Sequence, residues 1–151
     1  MIKIICLGIL KESYLKEAVN EYAKRLKKYA KLEIIELKDE KDENASLALK
    51  KEKDAVLKKL KDKDNVVILD INGEEMSSLE FANFIDKELT NNSNITFLIG
   101  ASNGLDDEIK KLSSKKISFS KLTFPHQMFR VILLEQIYRS FKIINNETYH
   151  K

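Results

Sequence analysis

Three near-continuous apolar runs constrain this chain most: I-K-I-I-C-L-G-I at 2–9, V-V-I-L-D-I at 66–71 and I-T-F-L-I at 95–99. A strand with one wet face alternates apolar and polar residues, whereas runs like these suit central strands of a parallel sheet covered on both faces. L-E-I-I-E-L at 32–37 reads as a further strand, and K-I-S-F at 116–119 as a short one. Helical patterns lie between them. Ser13 is positioned to cap a helix to about Ala30, with Leu15, Ala18, Val19, Tyr22, Leu26 and Tyr29 on one face. Lys38–Asn44 is a charge-dense loop, and Ser46 can cap a helix to about Lys63 whose stripe is Leu49, Val56, Leu57 and Leu60. Asn72-Gly73 turns the chain. Ser77-Ser78-Leu79-Glu80 offers a capping box for a helix to about Thr90, burying Leu79, Ala82, Ile85 and Leu89. A short helix over Asp106–Leu112 and a long one opening at Pro125 and running to about Ile144 complete the series. Strands alternating with helices, with no repeat or linker, predict a single α/β domain over residues 1–151 with a largely parallel sheet.

A length of 151 residues is enough to bury one core, and 43% hydrophobic with 34% charged residues is a soluble globular composition. No run reaches the roughly 20 apolar residues that span a bilayer, and the N-terminus lacks the form of a signal peptide. A cytoplasmic protein without a membrane partner is expected. Cys6 is the sole cysteine and is expected to be a buried thiol; with His126 and His150 as the only other soft ligands, no metal is expected. The net charge of +3 conceals an asymmetry: the residues from Lys110 onward carry nine Lys/Arg against two Asp/Glu. A basic C-terminal third on an acidic body suggests a polyanion-binding face.

The last helix is apolar nearly all round: Met128, Phe129, Val131, Ile132, Leu133, Leu134, Ile137, Tyr138, Phe141, Ile143 and Ile144 leave almost no polar stripe. Either it is central to the fold or a second copy covers one side, and a homodimer is the favoured expectation. Ligands in open α/β sheets settle beyond the carboxyl ends of the strands, here Leu69-Asp70-Ile71, Ile99-Gly100-Ala101 and Phe119-Ser120-Lys121. Gly100 and Gly104 can frame a pocket walled by main-chain amides, or simply make a strand-to-helix turn. The loop is neither a P-loop nor a dinucleotide fingerprint. His126 and Arg130, one turn apart, share a helix face and can meet an anionic or polar ligand or serve packing. Tyr149 and His150 sit in a tail expected to fray in a monomer.

I-G-A-S-N-G-L, then F-S-K-L-T-F-P-H-Q-M-F-R-V-I-L-L-E-Q-I-Y-R, and the terminal Y-H-K closely resemble the RlmH family, as do the early G-I-L-K-E-S-Y and E-Y-x-K-R-L segments. These are SPOUT-class methyltransferases that modify N3 of pseudouridine in 23S large-subunit ribosomal RNA. The resemblance implies a C-terminal trefoil knot, where the general rule of unknotted chains would thread this one plainly. It also implies a homodimer with S-adenosylmethionine in the knot loops. Carried over, the cofactor residues are Leu69, Gly100, Gly104, Phe119, Ser120, Lys121, Leu122, Thr123 and Phe124. The RNA-facing and catalytic groups are His126, Arg130, Tyr149 and His150, the last two reaching across from the partner, and the substrate is expected to be the assembled ribosome. A non-catalytic RNA-binding module and an enzyme of small anions are the rival readings. The family usually has two glycines where this chain has Gly100-Ala101; if position 101 needs a positive φ, the loop is expected to shift modestly and cofactor affinity to suffer.

Overall fold

In the computed structural model, which describes residues 1–41 and 43–151, the apolar runs form one sheet. Its strands are β1 (Ile2–Leu7), β2 (Leu32–Leu37), β3 (Val66–Glu75), β4 (Ile95–Ile99) and β5 (Lys115–Ser118), in the order β2-β1-β4-β3-β5. Every pairing is parallel. The helices are α1 (Ser13–Leu26), α2 (Ala45–Leu57), α3 (Ser78–Asn92), α4 (Asp107–Leu112) and α5 (His126–Ile144).

Side chains alternate along a strand, and here both faces are covered, which is why the runs are apolar without interruption. Ile4 and Cys6 of β1, Phe97 of β4 and Val67 of β3 pack against α1, α3 and α5. Ile5, Leu7, Ile68 and Leu98 face the opposite way, toward Val56 of α2 and Ile109 of α4. The result is three layers, helices on both sides of the sheet. The odd last helix is explained within one chain: α5 lies between α1 and α3 on the sheet, burying Leu133, Leu134, Ile137, Tyr138 and Phe141. The central position is found, while Met128 in its first turn stays 41% exposed.

Several local expectations are corrected. Ser13 is not a cap; Glu12 holds that position without a side-chain bond. Asn44, not Ser46, caps α2, its Oδ1 accepting from the Ser46 and Leu47 amides, and the helix stops at Leu57. Leu57 is exposed, and α2 instead buries Ala48, Glu52 and Val56. The Ser77/Glu80 capping box forms as read, but Leu79 is 58% exposed and Phe81 takes the core position. Asn72-Gly73 does not end β3; the strand carries on to Glu75 through a register shift against β5 between Leu69 and Glu74. Pro125 is the N-cap of α5 rather than its first residue. The charge-dense loop read over Lys38–Asn44 includes residue 42, which lies outside the described residues.

Candidate active site

The carboxyl ends of β3, β4 and β5 open into one cavity of about 260 Å³. Its walls include Leu69, Gly100 and Gly104, together with Phe119, Ser120, Leu122, Thr123 and Phe124. Of the residues expected at a cofactor, only Lys121 is absent from the lining; it is exposed beside it. Asp70, Ile99, Ala101, Leu105, Ser118 and His126 join the lining. Adjacent parallel strands deliver the first two walls, because Leu69 of β3 pairs directly with Ile99 of β4. The third is a tight hydroxyl-braced turn: Ser118 Oγ donates to the Ser120 carbonyl at 3.0 Å, and Ser120 Oγ accepts from the Leu122 amide at 3.0 Å.

The two glycines do different work. Gly104 has φ +76°, a left-handed conformation with open space where a Cβ would be. Gly100 lies outside that region but so close to the loop that a Cβ would sit 2.8 Å from the Gly104 carbonyl oxygen. Between them, Ala101 accepts the Gly104 amide at 2.9 Å and is not among the residues with positive φ. The expected penalty for alanine at 101 therefore does not arise, since the positive φ falls three residues later.

His126 sits at the start of α5, in the cavity lining, with its ring against Gly8. Among the described residues it has no hydrogen-bond partner. Arg130 follows one turn on and is turned into the protein, 1% exposed. Its guanidinium bonds the Glu36 carboxylate and donates from Nη2 to the Gly8 carbonyl at 2.8 Å. The shared helix face was read correctly, but what it faces is the segment after β1. Cys6 lies beneath, fully buried, with its thiol pushed up to about 11 by that burial.

The tail is docked rather than frayed, with Asn146 in the left-handed region at φ +53° as the chain reverses. Glu147 accepts from Tyr29 Oη at 2.9 Å, Lys142 Nζ at 2.5 Å and Lys28 Nζ at 3.3 Å. The bonds to Lys142 and then Tyr29 lower its carboxyl to about 2. Tyr149 Oη donates to Glu135 Oε1 at 3.1 Å, and its ring meets Tyr138 edge-on at 5.1 Å and the Arg139 guanidinium at 4.8 Å. Burial, followed by the nearby Glu135 charge, raises the Tyr149 hydroxyl to about 12. Arg139 Nη1 stands 3.3 Å from His150 Nδ1 and pairs with Glu135 at 2.6 Å. Glu135, Arg139 and Glu147 were not singled out from the sequence; the Glu135/Arg139 spacing of four residues on a helix was the available signal. Arg139 lies 13 residues beyond His126 on α5, about 20 Å along the axis. Tyr149 docks nearer, at Glu135, about 14 Å along the axis from His126, and no tail residue is among those lining the cavity.

The basic C-terminal third is also less available than its charge suggested. Lys110, Lys115, Arg130, Arg139 and Lys142 are paired with Asp107, Glu74, Glu36, Glu135 and Glu147. Lys111, Lys116, Lys121 and Lys151 are the exposed remainder. Among the described residues, no group of His, Cys, Asp or Glu is arranged to hold a metal, and no helix is long and apolar enough to cross a membrane.

Comparison with known proteins places this geometry. A protein named ribosomal RNA large subunit methyltransferase H, from Caldicellulosiruptor saccharolyticus, is 52% identical over the whole of both chains. One of the same name from Clostridium tetani is 54% identical over 99% of each. The solved structure of a probable methylase family protein from Haemophilus influenzae Rd KW20 superimposes with a TM-score of 0.56. It covers 99% of this chain and 70% of its own at 15% identity, a likeness of fold alone. Residues 1–150 match the family model described as "Predicted SPOUT methyltransferase". With the full-length relatives, that match establishes that the chain belongs to the SPOUT methyltransferase family.

Proposed function

We propose that this single-domain protein uses S-adenosylmethionine to methylate N3 of a pseudouridine in 23S ribosomal RNA. On this reading it works in the cytoplasm as a homodimer, its C-terminal region is threaded as the family's trefoil knot, and its substrate is the assembled ribosome. One observation carries the reading: the cavity beyond β3, β4 and β5 is lined by all but one of the residues that the family resemblance assigns to the cofactor. The rRNA substrate is supported by relatives named as large-subunit rRNA methyltransferases.

The lining fits a ligand with a flat base, a cationic centre and polar ends. Leu69, Ile99, Leu105 and Phe124 supply apolar wall, Ser118, Ser120 and Thr123 supply hydroxyls, and Asp70 supplies an anionic group. The close Gly100–Gly104 approach leaves main chain rather than side chain at that edge. When bound there, S-adenosylmethionine supplies an electrophilic sulfonium methyl. The protein's task is to orient the target nitrogen and accept its proton. An imide nitrogen is a poor nucleophile until that proton leaves, and a positioned base contributes roughly 10²–10⁴-fold. Two groups are candidates to accept it: His126, supported by its place in the cavity lining and a ring with no hydrogen bond among the described residues, and His150 of a second copy.

The dimer is supported by what one chain leaves uncovered. Met128 is 41% and Leu122 72% exposed, and Ile132, Phe124, Met76 and Phe119 border an open cavity of about 240 Å³ beside α5. The docked tail meets α5 at Glu135, about 14 Å along the axis from its own His126, and none of its residues lines its own cavity, which favours a second copy as the one it serves. Tyr149 and His150 would then complete the neighbouring site.

Radiolabelled methyl transfer to ribosomes lacking the modification, followed by nucleoside analysis, tests the whole reading. N3-methylpseudouridine is the expected product. Absence of label, together with no calorimetric binding of S-adenosylmethionine, would instead identify a non-catalytic module. Equal methylation of naked transcript would remove the ribosome from the proposal, and full activity of His150→Ala would remove the shared tail.

A further inference from the structure

Arg130 is a buried cation that the chemistry above leaves without a task. The Arg130 side chain is 1% exposed while that of its partner Glu36 is 34% exposed, and a desolvated guanidinium is costly beside a well-packed apolar side chain of similar volume, so its retention calls for a reason other than stability. Its bonds supply one. Nη2 donates to the Gly8 carbonyl at 2.8 Å, while Nη1 bonds Glu36. The same Glu36 carboxylate accepts the Leu10 amide at 3.0 Å. The Gly8 amide donates to the Leu37 carbonyl at 2.7 Å, and the Lys11 amide to Gln127 Oε1 at 3.2 Å. The segment after β1 is thus tied down from β2 and from α5. Gly8, at φ +106°, is where His126 rests: a Cβ there would lie 2.9 Å from Nε2 and 3.1 Å from Cδ2. Because His126 has no hydrogen bond of its own among the described residues, its ring is placed by this packing and by α5.

We propose that Arg130 and Glu36 are positioning residues that set the imidazole of His126 through Gly8, rather than groups that touch the RNA. The proposal rests on the reading that His126 works at the cavity. A guanidinium suits the task because its planar fork can serve the Glu36 carboxylate and the Gly8 carbonyl together, which a lysine ammonium cannot match. Arg130→Met keeps apolar bulk, Gly8→Ala pushes on the ring directly, and Glu36→Gln weakens the grip on Arg130.

The 151-residue protein is examined in three ways: methyl transfer to unmodified ribosomes, calorimetry with S-adenosylmethionine, and NMR pH titration of the two histidines. With Arg130→Met, kcat is expected to fall by about 10²-fold at nearly unchanged KM, as for a misplaced group. Arg130→Lys does not restore it, S-adenosylmethionine affinity holds, and the His126 resonances shift while those of His150 stay. Gly8→Ala and Glu36→Gln move the same His126 resonances. Unchanged His126 signals and kcat in a folded Arg130→Met protein overturn the proposal. If that variant does not fold, unchanged His126 signals in both Gly8→Ala and Glu36→Gln overturn it instead. Should the parent protein transfer no methyl group, the functional reading fails, while the NMR arm still decides whether Arg130 positions His126.

Discussion

Substituting alanine at Gly104 isolates a purely conformational cost at the cofactor loop. Its φ of +76° is unfavourable for any residue with a Cβ, yet nothing lies within 4 Å of where that Cβ would be. No clash contributes, so the penalty is the left-handed strain, about 1–2 kcal/mol. The reduced freedom of the unfolded chain does not offset this when the native conformation is incompatible. A loss of about 1 kcal/mol corresponds to a Tm lower by roughly 2–4 °C in a chain of this size. Gly104→Asn should lose less, because asparagine visits this region more readily. Gly100→Ala acts differently: its Cβ would meet the Gly104 carbonyl oxygen at 2.8 Å and carbon at 3.0 Å. Backbone must move there, and S-adenosylmethionine affinity should fall by about tenfold or more, since loop displacement reshapes the cavity wall. Ala101→Gly, by contrast, should leave affinity unchanged and lower stability slightly through the greater freedom of unfolded glycine. Scanning calorimetry and titration calorimetry on the four variants decide the matter. An Ala101→Gly protein that binds much more tightly, or a Gly104→Ala protein as stable as the parent, would refute the assignment of strain to position 104.

Glu147→Ala should release the tail: amide exchange over residues 146–151 should quicken, and turnover should drop roughly tenfold or more if tail placement matters, with S-adenosylmethionine affinity unchanged. Glu147 has a depressed pKa, so its contribution to stability is present above its unfolded value, near 4.3, and is lost as pH falls toward about 2. Tail amides of the parent should therefore lose protection through that acid window, and those of Glu147→Gln should not show the step. Cys6 is fully buried with its thiol raised to about 11, so a thiol reagent at pH 8 should label it only at the rate of unfolding. Lys3 and Asp64 pair at 2.5 Å with side chains 3% and 5% exposed. Lys3→Met leaves that carboxylate only the Lys61 amide among the described residues, at 3.0 Å, and should cost about 3 kcal/mol, measured by urea denaturation.

The central strands were legible because burial on both faces writes itself into sequence as near-continuous apolar runs, and Leu32–Leu37 and Ile95–Ile99 have the bounds their composition suggests. Helix starts were less legible. Ser13 and Asn44/Ser46 are all competent caps, and which one bonds depends on where the preceding chain arrives. Leu57 and Leu79 were assigned to the core on periodicity, but the helix rotation that exposes them is set by neighbouring elements. At the site, the glycines and the strand end at Phe119-Ser120-Lys121 could be found from position and backbone needs, Leu122, Thr123 and Phe124 came only with the family resemblance, and only the fold shows that positive φ belongs to Gly104 and not to Ala101.

The fates of the four charged or polar groups first assigned to chemistry show where sequence stops. His126 and Arg130 share a helix face, yet a strand end 122 residues from Arg130 in sequence decides that one lines the cavity and the other is swallowed. Tyr149 and His150 were expected to be loose, yet Glu135, Arg139 and Glu147 hold the tail against α5 and α1. A docked tail suits a shared site better than a frayed one. A free segment must lose conformational freedom on reaching another subunit, whereas one already ordered has lost most of it in its own fold. Glu147 then fixes where the last residues leave the body, and the Gly8–Arg130–Glu36 contacts fix the wall they would meet. In the proposed dimer, two sets of contacts far apart in the chain would bear on the same site, each subunit supplying one of them.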